Sequence, residues 1–188
     1  NNVSILAITS GDGIINFLKK NTFGSINFLS NKDFEEIDKS KFYNLIKKIE
    51  SENVFIIGNS IKVNEKLSKF VDPLRSNLKI IQSNNDSELI SSIFAFSPET
   101  DLNENMINIS SALHENISIH LSDSDLENLD LNNNLKDLDH RFITILSHEN
   151  KPEESSKIQK YLEDNFDLDG VEMITHSSSE YDFIVSVE

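Results

Sequence analysis

Apolar positions along the chain follow two alternating rhythms, short β-branched runs and longer stretches with an apolar residue every third or fourth place. Val3, Ile5, Leu6, Ala7 and Ile8 form a nearly all-apolar run, the pattern of a strand buried on both faces. Thr9 to Gly13 interrupt it, and Ile14, Ile15, Phe17 and Leu18 resume at helical spacing. Ser25 to Leu29 predicts a second strand, and the polar, acidic Asn31 to Asp38 a loop. Phe42, Leu45, Ile46 and Ile49 then make an amphipathic helix face. Val54 to Ile57 is a third buried strand closed by Gly58-Asn59-Ser60, and Val63, Leu67, Phe70 and Val71 are a helical stripe stopped by Pro73. Leu78 to Ile81 predicts a fourth strand, and Leu89, Ile90, Ile93 and Phe94 another helix.

Beyond Pro98, Asp101 with Glu104 three residues on has the form of a capping box. Leu102, Met106, Ile109 and Leu113 line the helix that follows, and Ile117 to Leu121 reads as a strand. Ser122 to Arg141 is acidic and of low complexity, and is expected to be a linker with a short helix on Leu135 and Leu138. The C-terminal stretch then predicts a β-α-β-β unit. Its strands are Phe142–Leu146, Val171–Thr175 and Phe183–Val187, and its helix opens at Pro152 and buries Ile158, Tyr161, Leu162 and Phe166. The expected fold is α/β, a doubly wound, mainly parallel sheet with helices on both faces, plus this small unit. The expected divisions are 1–121, a linker at 122–141, and 142–188.

Composition narrows the function classes. The 188 residues carry a net charge of −15, and no basic run exceeds the pairs Lys19-Lys20 and Lys47-Lys48. Nucleic acid and anionic membrane surfaces would repel such a chain. There is no cysteine, hence no disulfide, zinc ribbon or thiol nucleophile, as in a protein of the reducing cytoplasm. No apolar run is long enough to span a membrane. The chain does not begin with Met and is expected to be a piece of a longer protein.

Candidate chemistry gathers at strand ends. In an open α/β sheet, ligands bind where turns leave the carboxyl ends of strands. Gly11, Asp12 and Gly13 form the first such turn. Its backbone N–H groups and the following helix dipole favour an anion, although G-D-G is neither a full G-x-G-x-x-G nor a P-loop, and a tight βα turn accounts for it equally. Asn59 and Ser60 form the second turn; set beside the first, they would complete a crevice for a small polar or anionic ligand. His120, His148 and His176 fall near strand ends, without metal-ligand spacing. Asp123, Asp125 and Glu127 open like a calcium loop, but Asn128 stands where the turn requires Gly and Asn134 where a bidentate Glu is required. No G-x-S-x-G elbow is present. Neither a metal site nor a catalytic residue is expected.

Three stretches carry a family resemblance. ILAITSGDGIINFLKK is similar to a strand, S-G-[ED]-G turn and helix; IFAFSPETDLNENM to an A-F-[DN]-P-E-x-[DS]-L-x-E-N-x segment; and FITILSHENKPEESSKIQKYLEDNF with YDFIVSVE to a terminal unit ending in I-S-V-E. Their order and spacing resemble the C-terminal region of the ATP-binding subunit of bacterial fatty-acid kinase, of the dihydroxyacetone-kinase-like family. The loops depart from that pattern. Asn31–Asp38 stands for G-G-Q-T-M-N-P-S, and Gly58 to Lys62 keeps only Asn59 of P-N-N-K-N. Asp86 to Leu89 stands for I-P-Q-G, and His176 to Ser179 for G-G-Q-P. The resemblance implies a non-catalytic domain that engages a separate fatty-acid-binding protein. Outside these residues, a kinase domain would bind ATP and magnesium and form acyl phosphate. No cofactor is expected within the chain. The alternatives are a small-molecule or anion-binding enzyme or sensor using Gly11, Asp12, Gly13, Asn59 and Ser60, and a structural domain that forms a homodimer.

Overall fold

The structure is a computed structural model that describes residues 3–22 and 26–188. By internal contacts the chain divides into two compact units, one running to Glu115 and the other from Asn116 together with the short piece Gly11–Ile14.

The first unit alternates strand and helix: β1 (Val3–Thr9), α1 (Asp12–Asn21), β2 (Ile26–Ser30), α2 (Asn31–Glu36), α3 (Lys39–Lys47), β3 (Asn53–Gly58), α4 (Ile61–Phe70), β4 (Leu78–Gln82), α5 (Asp86–Ala95) and α6 (Leu102–Glu115). The four strands form an all-parallel sheet in the order β2-β1-β3-β4. All seven residues of β1 are buried, which is why the stretch reads as a continuous apolar run. Successive side chains point to opposite faces. Leu6, Ile8, Val54, Ile56 and Leu78 share a core with Phe34 of α2, Phe42 and Ile46 of α3, and Val63 and Leu67 of α4. On the other face the Phe55 ring meets Phe96 edge-on at 6.3 Å, and α5 packs against β1. This is the doubly wound architecture expected.

Two details differ from the sequence reading in this unit. The second strand, expected over Ser25 to Leu29, continues one residue further, to Ser30, in the described range Ile26–Ser30; Ser25 lies outside the described residues. Asn31–Asp38, expected to be a loop, contains helix α2. Both ends of α2 are held. The Ser30 side chain accepts from Asp33 N–H at 3.1 Å, an N-cap. At the other end the Lys66 ammonium donates to Phe34 O, Glu35 O and Ile37 O at 2.5, 3.0 and 3.0 Å, carbonyls a helix terminus leaves unpaired. The same ammonium sits 4.9 Å from the Phe34 ring centroid and 5.2 Å from that of Phe70. Phe34, fully buried, anchors the helix in the core.

The second unit contains β5 (Ile117–Leu121), β6 (Phe142–His148), α7 (Pro152–Asn165), β7 (Gly170–His176) and β8 (Phe183–Val187). They form a mixed sheet in the order β5-β8-β6-β7, in which β6 and β7 are parallel and β8 is antiparallel to both β5 and β6. Ile117–Leu121, which the sequence grouped with residues 1–121, thus pairs with the last strand. Ser122–Arg141 is not an open linker. It makes two short 3-10 turns, Asp123–Glu127 and Leu129–Leu131. It also buries Leu129, Leu135 and Leu138 in the core with Ile143, Ile158, Leu162 and Val185. Leu135 lies at a bend and Leu138 in irregular backbone rather than in the short helix expected. Lys151 pins this strap through Asp123 and also contacts Asp182 at 3.1 Å.

Among the described residues no helix is long and apolar enough to cross a membrane.

Candidate functional site

The winding of the parallel sheet reverses between its two central strands. The chain goes from β1 outward to β2, then returns to β3 and continues to β4. A ligand crevice in such a fold lies at the carboxyl ends of the strands flanking this reversal. Here the position holds side chains bonded to one another. Ser10 follows β1, Asn31 follows β2, Asn59 follows β3, and Asp86 opens α5 after β4. Asn59 Nδ2 lies 2.9 Å from Ser10 Oγ, 2.9 Å from Asn31 Oδ1 and 2.7 Å from Asp86 Oδ1. Asn31 Nδ2 donates back to Asn59 Oδ1 at 3.0 Å, and Ser10 Oγ donates to Asn31 Oδ1 at 3.3 Å. Asn59 is 4 % exposed and Asp86 1 %. An amide offers two N–H donors, and three acceptors compete for those of Asn59. Its hydrogen-bonding capacity is therefore met by protein groups.

The other residues singled out from the sequence have different roles. Ser60 caps α4, its hydroxyl accepting from Val63 N–H at 3.2 Å. Asp12 is exposed in the first turn of α1, where a carboxylate complements the helix dipole. Gly11 has φ +103°, and a Cβ there would fall 2.4 Å from Ser177 Oγ. A Cβ on Gly13 would fall 2.2 Å from Thr175 Oγ1 and 2.3 Å from Thr175 O. Backbone conformation and close approach account for both glycines without a ligand. The structure thus joins Asn59 to Ser10, Asn31 and Asp86, and sets Gly11 and Gly13 against Ser177 and Thr175. Sequence reasoning passed over Ser10, Asn31 and Asp86. The available signal is positional: each is at or next to the first polar position after a strand or at a helix start.

The three histidines do come together in the second unit, through Tyr181. His148 and His176 are register partners across β6 and β7, their rings 5.3 Å apart and edge-on. Tyr181 stacks on His176 at 3.9 Å and meets His120 at 6.3 Å. His176 Nδ1 accepts from Ser178 N–H at 3.0 Å, so its proton sits on Nε2 and is donated to Asp182 O at 2.9 Å. Both ring nitrogens thus organise the turn between β7 and β8. Among the described residues no group of side chains is arranged to hold a metal ion.

Burial pushes the His176 pKa down to about 4, the charge of nearby His148 acting in the same direction against the opposing Asp182 backbone bond. A histidine whose folded pKa lies below its unfolded value stabilises the fold fully above about pH 6.5 and loses that contribution as pH falls toward 4. The His176 ring is expected to titrate near pH 4 by NMR, as the Nε2–H tautomer. A midpoint at 6 or above would show that the ring is solvated.

Residues 4–127 match the family model for the C-terminal region of FakA-like fatty acid kinase proteins. The chain belongs to that family. No curated protein matches this member of the FakA-like C-terminal family in sequence. Among solved structures it is similar to a DegV family protein from Corynebacterium glutamicum, with a TM-score of 0.60 and 10 % identity over 99 % of this chain and 97 % of that one. It is also similar to a hypothetical protein from Thermotoga maritima said to reveal a fatty acid binding function, at 0.58 and 9 % over 100 % and 99 %. A third is a DegV family protein from Thermus thermophilus described for fatty acid binding, at 0.53 and 7 % over 100 % and 99 %. At these identities the likeness is one of fold.

Proposed function

We propose that this chain is a non-catalytic domain of a fatty-acid-kinase-like protein that docks a fatty-acid-binding partner protein. Acyl phosphate formation then belongs to a kinase domain outside these residues, supplied with ATP and magnesium there. Family membership supports the setting, and the fold shared with proteins described as fatty-acid-binding is in keeping with it. The observation that carries the non-catalytic reading is the closed network of Ser10, Asn31, Asn59 and Asp86. It occupies the strand ends where a substrate crevice would open, and its central amide is committed to neighbours in the protein.

The test is a pair of measurements on the purified chain. A fatty-acid-binding DegV-family protein, loaded with oleate, should bind it in calorimetric titration. The chain supplied with oleate, ATP and magnesium should trap no acyl hydroxamate in the presence of hydroxylamine. Absence of binding at high micromolar concentration would overturn docking, and hydroxamate formation would overturn the non-catalytic assignment. Retention of oleate by the chain alone would replace partner docking with direct acyl binding.

A further inference from the structure

One face of the first unit carries three cations in a row without a carboxylate partner. Tyr43 lies four residues from Lys39 and four from Lys47 on α3, so the three side chains share one stripe of the helix. The Arg75 guanidinium stacks over the Tyr43 ring at 4.5 Å. Among the described residues Lys39, Lys47 and Arg75 make no ion pair, whereas Lys62, Lys151 and Lys160 each do. Yet Asp and Glu outnumber Lys and Arg 32 to 17 in this chain. Asp38, beside Lys39, and Asp72, three residues before Arg75, are engaged with backbone. They accept from Lys41 N–H at 2.8 Å and Leu74 N–H at 2.9 Å.

The loop that presents Arg75 is braced. Pro73 opens a tight turn in which Arg75 N–H donates to Asp72 O at 3.0 Å, and Leu78 N–H donates to Arg75 O at 3.2 Å. Tyr43 ties this loop to α3: its hydroxyl donates to Phe70 O at 2.8 Å and accepts from Asp72 N–H at 3.4 Å. At the tip Leu74 is 90 % exposed. A guanidinium lying on an aromatic ring keeps its N–H fork free for carboxylates. Arginine and tyrosine are enriched among the residues that dominate interface energetics, and a braced loop loses little freedom on binding.

We propose that this face, formed by Lys39, Lys47, Arg75 and Leu74, docks an acidic surface of the partner protein that holds an apolar pocket for Leu74. The inference rests on the docking reading and names the face that carries it. The charge of the row selects an acidic occupant. Lys39 and Lys47 stand about 12 Å apart along the helix, farther than one phosphate or carboxylate reaches, so the occupant is a surface and not a free anion. A closed dimer of this chain would set the row against itself, because an isologous contact pairs the same patch on both copies and like charges oppose it. An anionic bilayer would meet the carboxylate excess of the rest of the chain.

The measurement is calorimetric titration of the whole chain with the oleate-loaded DegV-family protein. Arg75→Glu and Leu74→Ser should each weaken binding about tenfold or more. Arg75→Lys keeps the charge but loses the planar fork and its stacking, and should cost about threefold. Lys157→Glu makes the same change of net charge in the second unit and should alter affinity by less than about twofold. Raising NaCl from about 50 to 500 mM should weaken the unaltered chain more than Arg75→Glu. Leu74, Arg75 and Lys157 are exposed, so the variants should melt with the unaltered chain. Unchanged affinity in either Arg75→Glu or Leu74→Ser would overturn this face and leave docking intact. No binding by the unaltered chain would overturn docking and this face with it. Self-association, or sedimentation with phosphatidylglycerol vesicles, that Arg75→Glu abolishes would overturn the acidic partner in favour of a second copy or a lipid.

Discussion

Replacing Asn59 with leucine is expected to lower the unfolding free energy by about 4 kcal/mol, the range for breaking a buried, hydrogen-bonded charge network. Leucine has the same number and branching of side-chain heavy atoms but no polar atoms. It would withdraw the amide donor 2.7 Å from Asp86 Oδ1 and both halves of the reciprocal amide pair with Asn31. Asp86 is 1 % exposed, and a carboxylate that loses a donor at that depth cannot recover it from water. Urea denaturation of the purified chain measures the cost. Asn59→Leu combined with Asp86→Leu should be less destabilising than the two single changes summed, because the pair acts as one network. A loss below about 1 kcal/mol would mean that water or a further protein group meets these acceptors, and would overturn the central place of Asn59 in the network.

The same network shows what a linear pattern conveys and what it hides. The strands were legible because buried parallel strands must be apolar on both faces, and Val3–Ile8 and Val54–Ile57 are. The longer helices were legible because one stripe must be apolar, as Phe42 and Ile46 show in α3. Helix α2 was not, because six residues with one buried side chain have no measurable period. Its C-terminal carbonyls are held by Lys66, some thirty positions away. The strap at 122–141 hid its structural role for a related reason. Leu129, Leu135 and Leu138 are core residues spaced for 3-10 turns and bends, not for helix or strand. The pairing of Ile117–Leu121 with Phe183–Val187 is a long-range choice that neither segment encodes alone. At the site, Asn59 was legible as a polar residue at a strand end. Its partners were not, because Ser10, Asn31 and Asp86 stand in three other turns that only the assembled sheet brings within 3 Å of its amide nitrogen.

Gly13→Ala should cost about 3 kcal/mol, the upper part of the range for overpacking because the obstacle is backbone. Gly13 has no positive φ, and it sits in the first turn of α1. On helix propensity alone, alanine there would stabilise by up to about 1 kcal/mol. The environment reverses the sign. The new Cβ would lie 2.2 Å from Thr175 Oγ1 and 2.3 Å from Thr175 O. The hydroxyl can rotate away, but the carbonyl belongs to β7, whose neighbouring residues Ile174 and His176 are buried. Adding Thr175→Ala should therefore recover little of the loss. The direction of the thermal shift separates two reasons for a glycine in this turn. A phosphate-cradling glycine would leave the melt unchanged or raised on substitution and lose only ligand affinity. A packing glycine lowers the melting temperature with no ligand present, and that fall is the expected outcome, because the space its missing side chain leaves is filled by Thr175.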